Sequence, residues 1–297
     1  MNIHNPYRNE GDWYRGSFHI HSKFSTCGWH NLAELALAYR DYDFLSISDH
    51  DRITTETEEL KNHILFRALE VSGDCHMLLV GTGAPLEGTV DHTFSPEHYQ
   101  SLAQEAVAGG GIALAAHPVR LDGQHWQEED LLQMSSLTGI EIFSGDGIHV
   151  EQDVGFECWD RLLSRGQRLW GFGNDDFHHW GQERRVWNVV HAAERSGRSI
   201  LDAIRQGDFY VSSGFGFDRI TNDTTSITFY LQTGAAQFEN AYKYLTLYGK
   251  DGRVLAEKTG RFTEFSYPVR GDEGYIRAEA YMNGGYGAFS QPIFVEP

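Results

Sequence analysis

Four short segments of the chain carry imidazole and carboxylate side chains directly after apolar runs. In chain order they are His19-Ile20-His21, Asp49-His50-Asp51, Ala116-His117-Pro118 and the NDDFHH run at 174–179. Imidazole nitrogens and carboxylate oxygens bind hard-to-borderline divalent metals. Because the four segments occupy equivalent places in a repeating strand pattern, they predict one composite metal site. They favour a metal-dependent hydrolase.

The spacing within these segments is compatible with shared metal ligands. On an extended backbone, side chains two residues apart point to the same face, so His19 and His21 can bind one cation. Asp176 and His178 repeat this spacing. Taken alone, each pair is equally compatible with an exposed polar loop. His50 adds a further ligand, and the aspartates beside it are candidates for orienting imidazoles.

Histidines are confined to the first two thirds of the sequence. All 15 lie at or before His191. This distribution indicates a chemically active first part and a chemically quieter second part.

Composition narrows the classes of partner. Hydrophobic content of 40% and charged content of 22% are ordinary for a soluble globular protein. The net charge of −18 disfavours nucleic acid and anionic membranes as partners. Bound divalent cations would offset part of this charge locally, so an anionic substrate remains compatible with it.

Cysteine usage and the N-terminus predict a cytoplasmic protein. The three cysteines, Cys27, Cys75 and Cys158, show no paired spacing and argue against a disulfide framework. Cys27 is close enough in sequence to the first histidine pair to approach the site. The first residues are polar, and no stretch reaches the length of a membrane span.

Strand and helix patterns alternate as far as residue 210. The predicted strands end near His19 and cover 44–48, 64–71, 77–80, 112–116, 139–143, 169–173 and 186–190. Helices are predicted from Leu32, capped by Asn31, from Pro96, and around 156–163 and 200–205. Seven or eight strands alternating with helices predict an α/β barrel, whose catalytic groups gather at the C-terminal strand ends.

The pattern changes near residue 210. Strands are predicted at 226–231, 244–248, 262–268 and 275–281, separated by Gly, Asp and Asn. We therefore expect a barrel over 1–210 and a small antiparallel, β-sandwich-like domain over 211–297.

The ordered motifs resemble those of the polymerase and histidinol phosphatase (PHP) superfamily. The resemblance covers about residues 13–195, and its motifs are His19 to Ser22, Ser46 to Asp51, Glu70 to Ser72, Ala116 to Pro118 and Asp176 to His178. It implies a distorted seven-stranded β/α barrel. The β-rich tail is similar to that of members with an appended C-terminal β-domain.

The resemblance also implies a metal-ligand set for two to three divalent ions, Mn²⁺, Fe²⁺ or Zn²⁺. The implied ligands are His19, His21, Glu70 and Asp176 for one ion, Glu70, His76 and His117 for a second, and His50 and His178 for a third. Glu70 would bridge the first two ions. The implied catalytic residues are Asp176, His178 and Glu70. For His76, a partly buried histidine that opens a strand is the alternative interpretation.

The implied reaction is hydrolysis of a small phosphate ester. Paired cations lower the pKa of a shared water, and the bridging hydroxide would attack phosphorus while the metals neutralise the phosphoryl oxygens. The chain departs from the family where many members carry Ser-Asp-Gly after the first histidine pair. Here Ser25 is followed by Thr26, Cys27 and Gly28. We therefore expect the third site to be weak, empty or rebuilt.

Substrate contacts and the reaction class are less constrained. Arg52, Arg120 and Arg184 follow the metal motifs and are candidates for binding a small phosphorylated substrate; surface or ion-paired arginines are the alternative. Lys23 is similarly placed. Two other functions remain open: hydrolysis of a C–N or C–O bond, and a non-catalytic, metal-binding regulatory module. A homo-oligomer is compatible with the sequence.

Overall fold

The structure is a computed structural model that describes residues 1–8, 10–55, 57–81, 95–119, 126–145, 155–234 and 236–296. Arg120 lies outside these residues. Among the described residues, no helix has both the length and the apolar character needed to cross a bilayer.

Strands and helices alternate in the first two thirds of the chain, and strands dominate the rest. The described strands are β1 Asn2–His4, β2 Asp12–Ser17, β3 Phe44–Ile47, β4 Ile64–Val71, β5 Met77–Val80, β6 Ile112–Ala115, β7 Gly139–Ser144, β8 Trp170–Asn174, β9 Trp187–Ala192, β10 Phe209–Ser212, β11 Phe217–Asn222, β12 Ser226–Leu231, β13 Lys243–Gly249, β14 Arg253–Gly260, β15 Glu264–Pro268, β16 Tyr275–Met282, β17 Tyr286–Ser290 and β18 Ile293–Glu296. The described helices are α1 Leu32–Ala38, α2 Pro96–Ala108, α3 Glu128–Gln133, α4 Phe156–Ser164, α5 Gly197–Gln206 and α6 Ala236–Glu239.

Strands β2 to β8 lie side by side in chain order. The pairs β2–β3, β3–β4, β6–β7 and β7–β8 are parallel. A parallel bridge between Ile20 and Phe177 joins the two ends of this series, just beyond β2 and β8. The C-terminal ends of distant strands are thereby brought to one edge.

The barrel-like part departs from a regular β/α alternation. Strand β5 runs antiparallel to both β4 and β6. The expected last barrel strand, β9, pairs antiparallel with β2 rather than parallel. The fold is thus a mixed α/β arrangement with a mostly parallel sheet and additional antiparallel strands. In the described residues, the strand pairing does not confirm the expected count of seven β/α units.

Burial explains why these strands are short apolar runs. Every residue of β3, β5 and β6 is buried, as expected for strands covered on both faces. One apolar cluster fills the space between strands and includes Phe18, Phe44, Leu114 and Phe172. Such strands have few places for polar groups except their ends, which is where the candidate ligands occur.

The helix starts follow capping chemistry. Asn31 accepts a hydrogen bond from the backbone nitrogen of Glu34, and the Glu34 carboxylate accepts one from the backbone nitrogen of Asn31. Ser95 caps α2, which has Pro96 at its first position. The predicted starts of both helices match those observed.

The C-terminal strands form antiparallel sheets around a shared core. Strands β11, β12 and β15 form a three-stranded sheet. Strands β13, β16, β17 and β18 continue through β10 into the barrel strands, and β1 pairs with β18. Apolar residues of both groups, among them Phe229 and Leu247, share one cluster.

A buried ion triad joins the barrel to the C-terminal strands. Arg277 on β16 donates to Asp160 on α4 through Nε at 2.8 Å, and Arg277 Nη1 lies 2.5 Å from Glu279. A cavity of about 1090 Å³ lies beside this triad, and its lining includes none of the candidate metal ligands.

Candidate metal centre

The candidate ligands meet at one edge of the barrel-like sheet. His19 and His21 follow β2, His50 follows β3, Glu70 lies near the end of β4, His117 follows β6, and Asp176 follows β8. His76 immediately precedes β5. Because β5 is antiparallel to its neighbours, its beginning lies at the same edge as their ends. The antiparallel direction of β5 therefore explains why His76, which precedes its strand, lies beside ligands that follow theirs.

The backbone at this edge adopts uncommon conformations. Asp51, His117 and Asp176 have φ values of 52°, 26° and 48°. Positive φ in residues other than glycine is uncommon and clusters at functional sites, where surrounding contacts sustain the strain.

Four side chains converge on one point. His19 Nε2 lies 3.1 Å from His21 Nε2, 3.2 Å from Glu70 Oε1 and 3.1 Å from Asp176 Oδ1. His21 Nε2 lies 3.1 Å from Glu70 Oε2 and 3.3 Å from Asp176 Oδ1. All four side chains are buried.

The Glu70 carboxylate faces more than one group of imidazoles. Its Oε1 lies 2.9 Å from His76 Nδ1 and 3.2 Å from His117 Nε2. Its Oε2 lies 3.2 Å from His50 Nδ1. A carboxylate in this position is able to bridge two neighbouring cations.

Hydrogen bonds on the far side of two rings assign their tautomers. His19 Nδ1 lies 2.9 Å from Glu141 Oε1, a carboxylate oxygen that only accepts, so Nδ1 carries the proton. Ser25 Oγ donates to Asp49 at 2.9 Å and therefore accepts from His21 Nδ1 at 3.0 Å. In the neutral rings, both Nε2 lone pairs then face the convergence point.

This donor set fits a divalent cation. Two atoms bound to one ion at about 2.1 Å lie about 3.0–3.4 Å apart at octahedral or tetrahedral angles. The distances from His19 and His21 to each other, to Glu70 and to Asp176 are 3.1–3.3 Å. In this buried space, the two carboxylates need positive charge beside them, which either a bound cation or protons on the imidazoles would supply.

The pKa values of these side chains are shifted because imidazoles and carboxylates are buried next to one another. Burial alone would lower the pKa of His19, but Asp176 and Glu70 raise it well above its ordinary value. Burial alone would raise the pKa of Glu70, but His19 and adjacent imidazoles lower it well below its ordinary value. Without a metal, protons on the imidazoles therefore balance the carboxylates.

A second group of ligand atoms surrounds Cys27. Its sulfur, one ring nitrogen of His21 and one ring nitrogen of His50 all lie within 4.8 Å of one another. Burial raises the pKa of the Cys27 thiol, but hydrogen bonds with His178, His21 and His50 bring it down to about 4. His178 Nδ1 donates to the Asp176 carbonyl at 2.8 Å, which leaves Nε2 available.

A cavity of about 580 Å³ opens beside these groups. Its lining includes Phe24, Cys27, His50, His76 and His178. The candidate ligands are thus reachable from solvent on one side.

The candidate substrate arginines lie in different places. The exposed guanidinium of Arg52 lies 4.2 Å from the ring centre of Phe24, which lines the cavity. Arg184 lies 3.3 Å from Asp41, and its backbone nitrogen donates to Asp175. Lys23 Nζ lies 5.8 Å from the Phe24 ring centre.

Two further carboxylates, Glu141 and Asp49, accept hydrogen bonds from several residues of the site and hold them in position. Glu141 accepts from His19, from Asn174 Nδ2 at 2.8 Å and from the backbone nitrogen of His117 at 2.8 Å. Asp49 accepts from Ser22, Ser25 and Thr54. Glu141 is not among the site residues that the sequence predicts. Its place in an otherwise buried apolar strand was the available signal.

Comparisons with solved structures identify the fold. The chain is similar to a two-domain protein from Bacteroides vulgatus ATCC 8482 containing a predicted PHP-like metal-dependent phosphoesterase, with 18% identity, a TM-score of 0.55, and coverage of 94% of this chain and 93% of that one. The chain has a PHP-like two-domain fold.

The other comparisons show weaker similarity or none. PsfC from Pseudomonas syringae PB-5123 matches with 11% identity and a TM-score of 0.49, over 65% of this chain and 87% of that one. No family model matches the sequence, and comparison with curated proteins finds no match. The PHP-like fold places the His/Glu/Asp groups described above at its sheet edge, where they are able to bind metal.

Proposed function

We propose that the protein is a metal-dependent phosphoesterase that hydrolyses a small phosphate ester. The observation that carries the proposal is the position of Glu70, whose two oxygens face His21 and His50 on one side and His76 and His117 on the other. A purely structural site would not need a shared carboxylate beside an open cavity.

The residues would hold two ions in adjacent positions. His19, His21 and Asp176 would complete the first position with Glu70, and His76 and His117 would complete the second. Bound divalent ions would supply a nucleophile from water at neutral pH and neutralise charge on the phosphoryl oxygens. Mn²⁺, Fe²⁺ and Zn²⁺ all suit imidazole and carboxylate ligands.

The protein's own groups set the orientation of this centre. Glu141 and Ser25 hold the Nδ1 protons of His19 and His21, so that Nε2 of each ring is directed inward and is the nitrogen that a metal would bind once its proton is displaced. Such outer hydrogen bonds typically change metal affinity or activity about 10- to 100-fold.

Two cations beside the cavity favour an anionic substrate. Arg52 and Lys23 lie near the Phe24 ring. A guanidinium forms paired hydrogen bonds with phosphate oxygens. In a chain with a net charge of −18, this local positive charge favours a phosphorylated small molecule over a neutral amide.

Metal replacement coupled to a substrate panel tests the proposal. Chelator-stripped protein would be reloaded separately with Mn²⁺, Fe²⁺ or Zn²⁺ and assayed on phosphate monoesters, phosphate diesters, carboxylic esters and amides. We expect metal-dependent release of phosphate. His19→Ala should abolish it, whereas His4→Ala, at a side chain 40% exposed on β1, should not. Turnover of amides or carboxylic esters alone would support the other hydrolase class. Full metal content without any turnover would support a non-catalytic module.

A further inference from the structure

The loop between β2 and α1 carries a sulfur atom into the candidate centre. The loop folds back through hydrogen bonds from Ser25 N to Ser22 O at 3.0 Å and from Gly28 N to Ser25 O at 3.3 Å. A Cβ at Gly28 would lie 2.1 Å from Ser22 O, so this close approach requires glycine. Thr26 is left exposed, and Cys27 is partly buried in the cavity lining.

Asp49 fixes this loop to the strand end that carries His50. It accepts hydrogen bonds from the Ser22 hydroxyl at 2.7 Å and the Ser25 hydroxyl at 2.9 Å. The backbone nitrogen of His50 in turn donates to Ser25 Oγ at 2.9 Å. The sulfur and the His50 ring are therefore held together by a shared network.

The neighbouring imidazoles differ in how many of their ring nitrogens already have partners. His21 uses Nε2 toward Glu70 and Asp176 and Nδ1 toward Ser25, so both of its nitrogens have partners. Cys27, His50 and His178 line the same cavity, and one ligand nitrogen of His50 lies within 4.8 Å of Cys27 Sγ.

We propose that Cys27 is the sulfur ligand of a third metal position completed by His50 and His178, and that this position selects Zn²⁺. The inference rests on the metal centre of the proposed function. Soft thiolate ligands favour Zn²⁺ over Mn²⁺, which prefers oxygen donors. Two imidazoles, one thiolate and an open fourth position form a ligand set suited to catalytic zinc.

A sulfur ligand at Cys27 distinguishes between the three outcomes expected from the departure at Thr26, a weak, an empty or a rebuilt third site. The exposed Thr26 supplies no ligand, whereas the side chain of Cys27 lines the cavity beside His50 and His178. The third position is thus rebuilt with sulfur rather than lost.

The other two cysteines serve as internal controls. Burial raises the pKa of Cys75 to about 12 and that of Cys158 to about 11. Both are buried, so reagents that attack exposed thiolates should report on Cys27 in the folded protein.

Cobalt spectroscopy of the full chain tests the sulfur ligand directly. Co²⁺-loaded protein should show sulfur-to-cobalt charge-transfer absorption in the near ultraviolet. Cys27→Ser should abolish this band, and Cys158→Ser should retain it. Cys27→Asp, which replaces the thiol with a carboxylate, should bind a third ion without the band. Absence of the band in the wild type, or its persistence in Cys27→Ser, would overturn the proposal.

Zinc binding and alkylation provide a second readout. Wild-type protein should bind one more Zn²⁺ than Cys27→Ser, or bind the last ion at least about tenfold more tightly, and that ion should protect Cys27 from iodoacetamide. Equal zinc stoichiometry and affinity in the two proteins would contradict the sulfur ligand. If the sulfur ligand is correct but the proposed function is wrong, the cobalt band would be present while no ester was hydrolysed.

Discussion

Glu141 Oε1 accepts a hydrogen bond from His19 Nδ1 at 2.9 Å, although 122 residues separate the two in sequence. The carboxylate is fully buried and also accepts from the His117 backbone nitrogen. One side chain on β7 therefore orients residues that follow β2 and β6. We therefore expect a change at Glu141 to affect metal binding.

Glu141→Gln should weaken metal binding about 10- to 100-fold without unfolding the protein. The amide keeps the shape of the carboxylate but lacks the charge that favours the Nδ1 proton on His19. Metal titration followed by calorimetry would measure the change. Glu129→Gln, at an exposed position on α3, is the matched control and should bind metal normally. Equal affinities in the two variants would show that Glu141 does not act on the centre.

Metal binding should release protons near neutral pH. The pKa values of His19, His21 and His117 are raised because nearby carboxylates outweigh burial, which alone would lower them. Protonated imidazoles therefore stabilise the metal-free fold below their ordinary pKa, and this contribution is lost as pH rises through the raised values. Metal must displace these protons, so affinity should fall as pH falls.

Calorimetric titration in two buffers with different ionisation enthalpies measures this release. Similar binding enthalpies in both buffers at pH 7 would mean that no protons are released and that the imidazoles are already neutral.

Arg277→Ala should destabilise the protein by about 3–5 kcal/mol, because it leaves Asp160 buried without its cation. Arg277 is 2% exposed and joins β16 to α4. Urea unfolding of metal-free protein would measure the change. Arg253→Ala is the control, since Arg253 is half exposed and lies 3.5 Å from Asp272; a loss of up to about 1 kcal/mol is expected there. A similar small loss for both variants would argue against a stabilising role for the triad.

Arg52→Gln should raise KM for a phosphate ester about tenfold with little change in kcat, as expected when a charged hydrogen bond to bound substrate is lost. Arg184→Gln is the comparison, because Arg184 pairs with Asp41. Steady-state kinetics on the best ester of the panel would separate the two arginines. A raised KM in Arg184→Gln alone would favour the sequence-based assignment of that residue and remove Arg52 from the substrate site.

Several of the candidate metal ligands could be predicted from the sequence, because buried strands have apolar interiors and polar ends. His19, His117 and Asp176 each follow such a run, and strand order then brings them together. The PHP-like fold was predictable from the resemblance of these ordered motifs to those of the PHP superfamily.

Other features depend on contacts that no local pattern encodes. The antiparallel direction of β5 follows from its pairing with β4 and β6. The position of Cys27 depends on the close approach of Gly28 to Ser22. In the C-terminal part, β11 and β14 mix exposed polar and partly buried residues, so their alternation is weak in sequence.

The most direct test of the account is the metal content and ester turnover of Glu70→Gln beside wild-type protein. The amide retains the size of the side chain but removes the charge that would bridge two ions. We expect loss of at least one bound ion and a fall in phosphate release of at least about 100-fold, beyond the usual range for outer partners of a metal site. Glu70→Gln protein with a full metal complement and wild-type turnover would contradict the proposed centre.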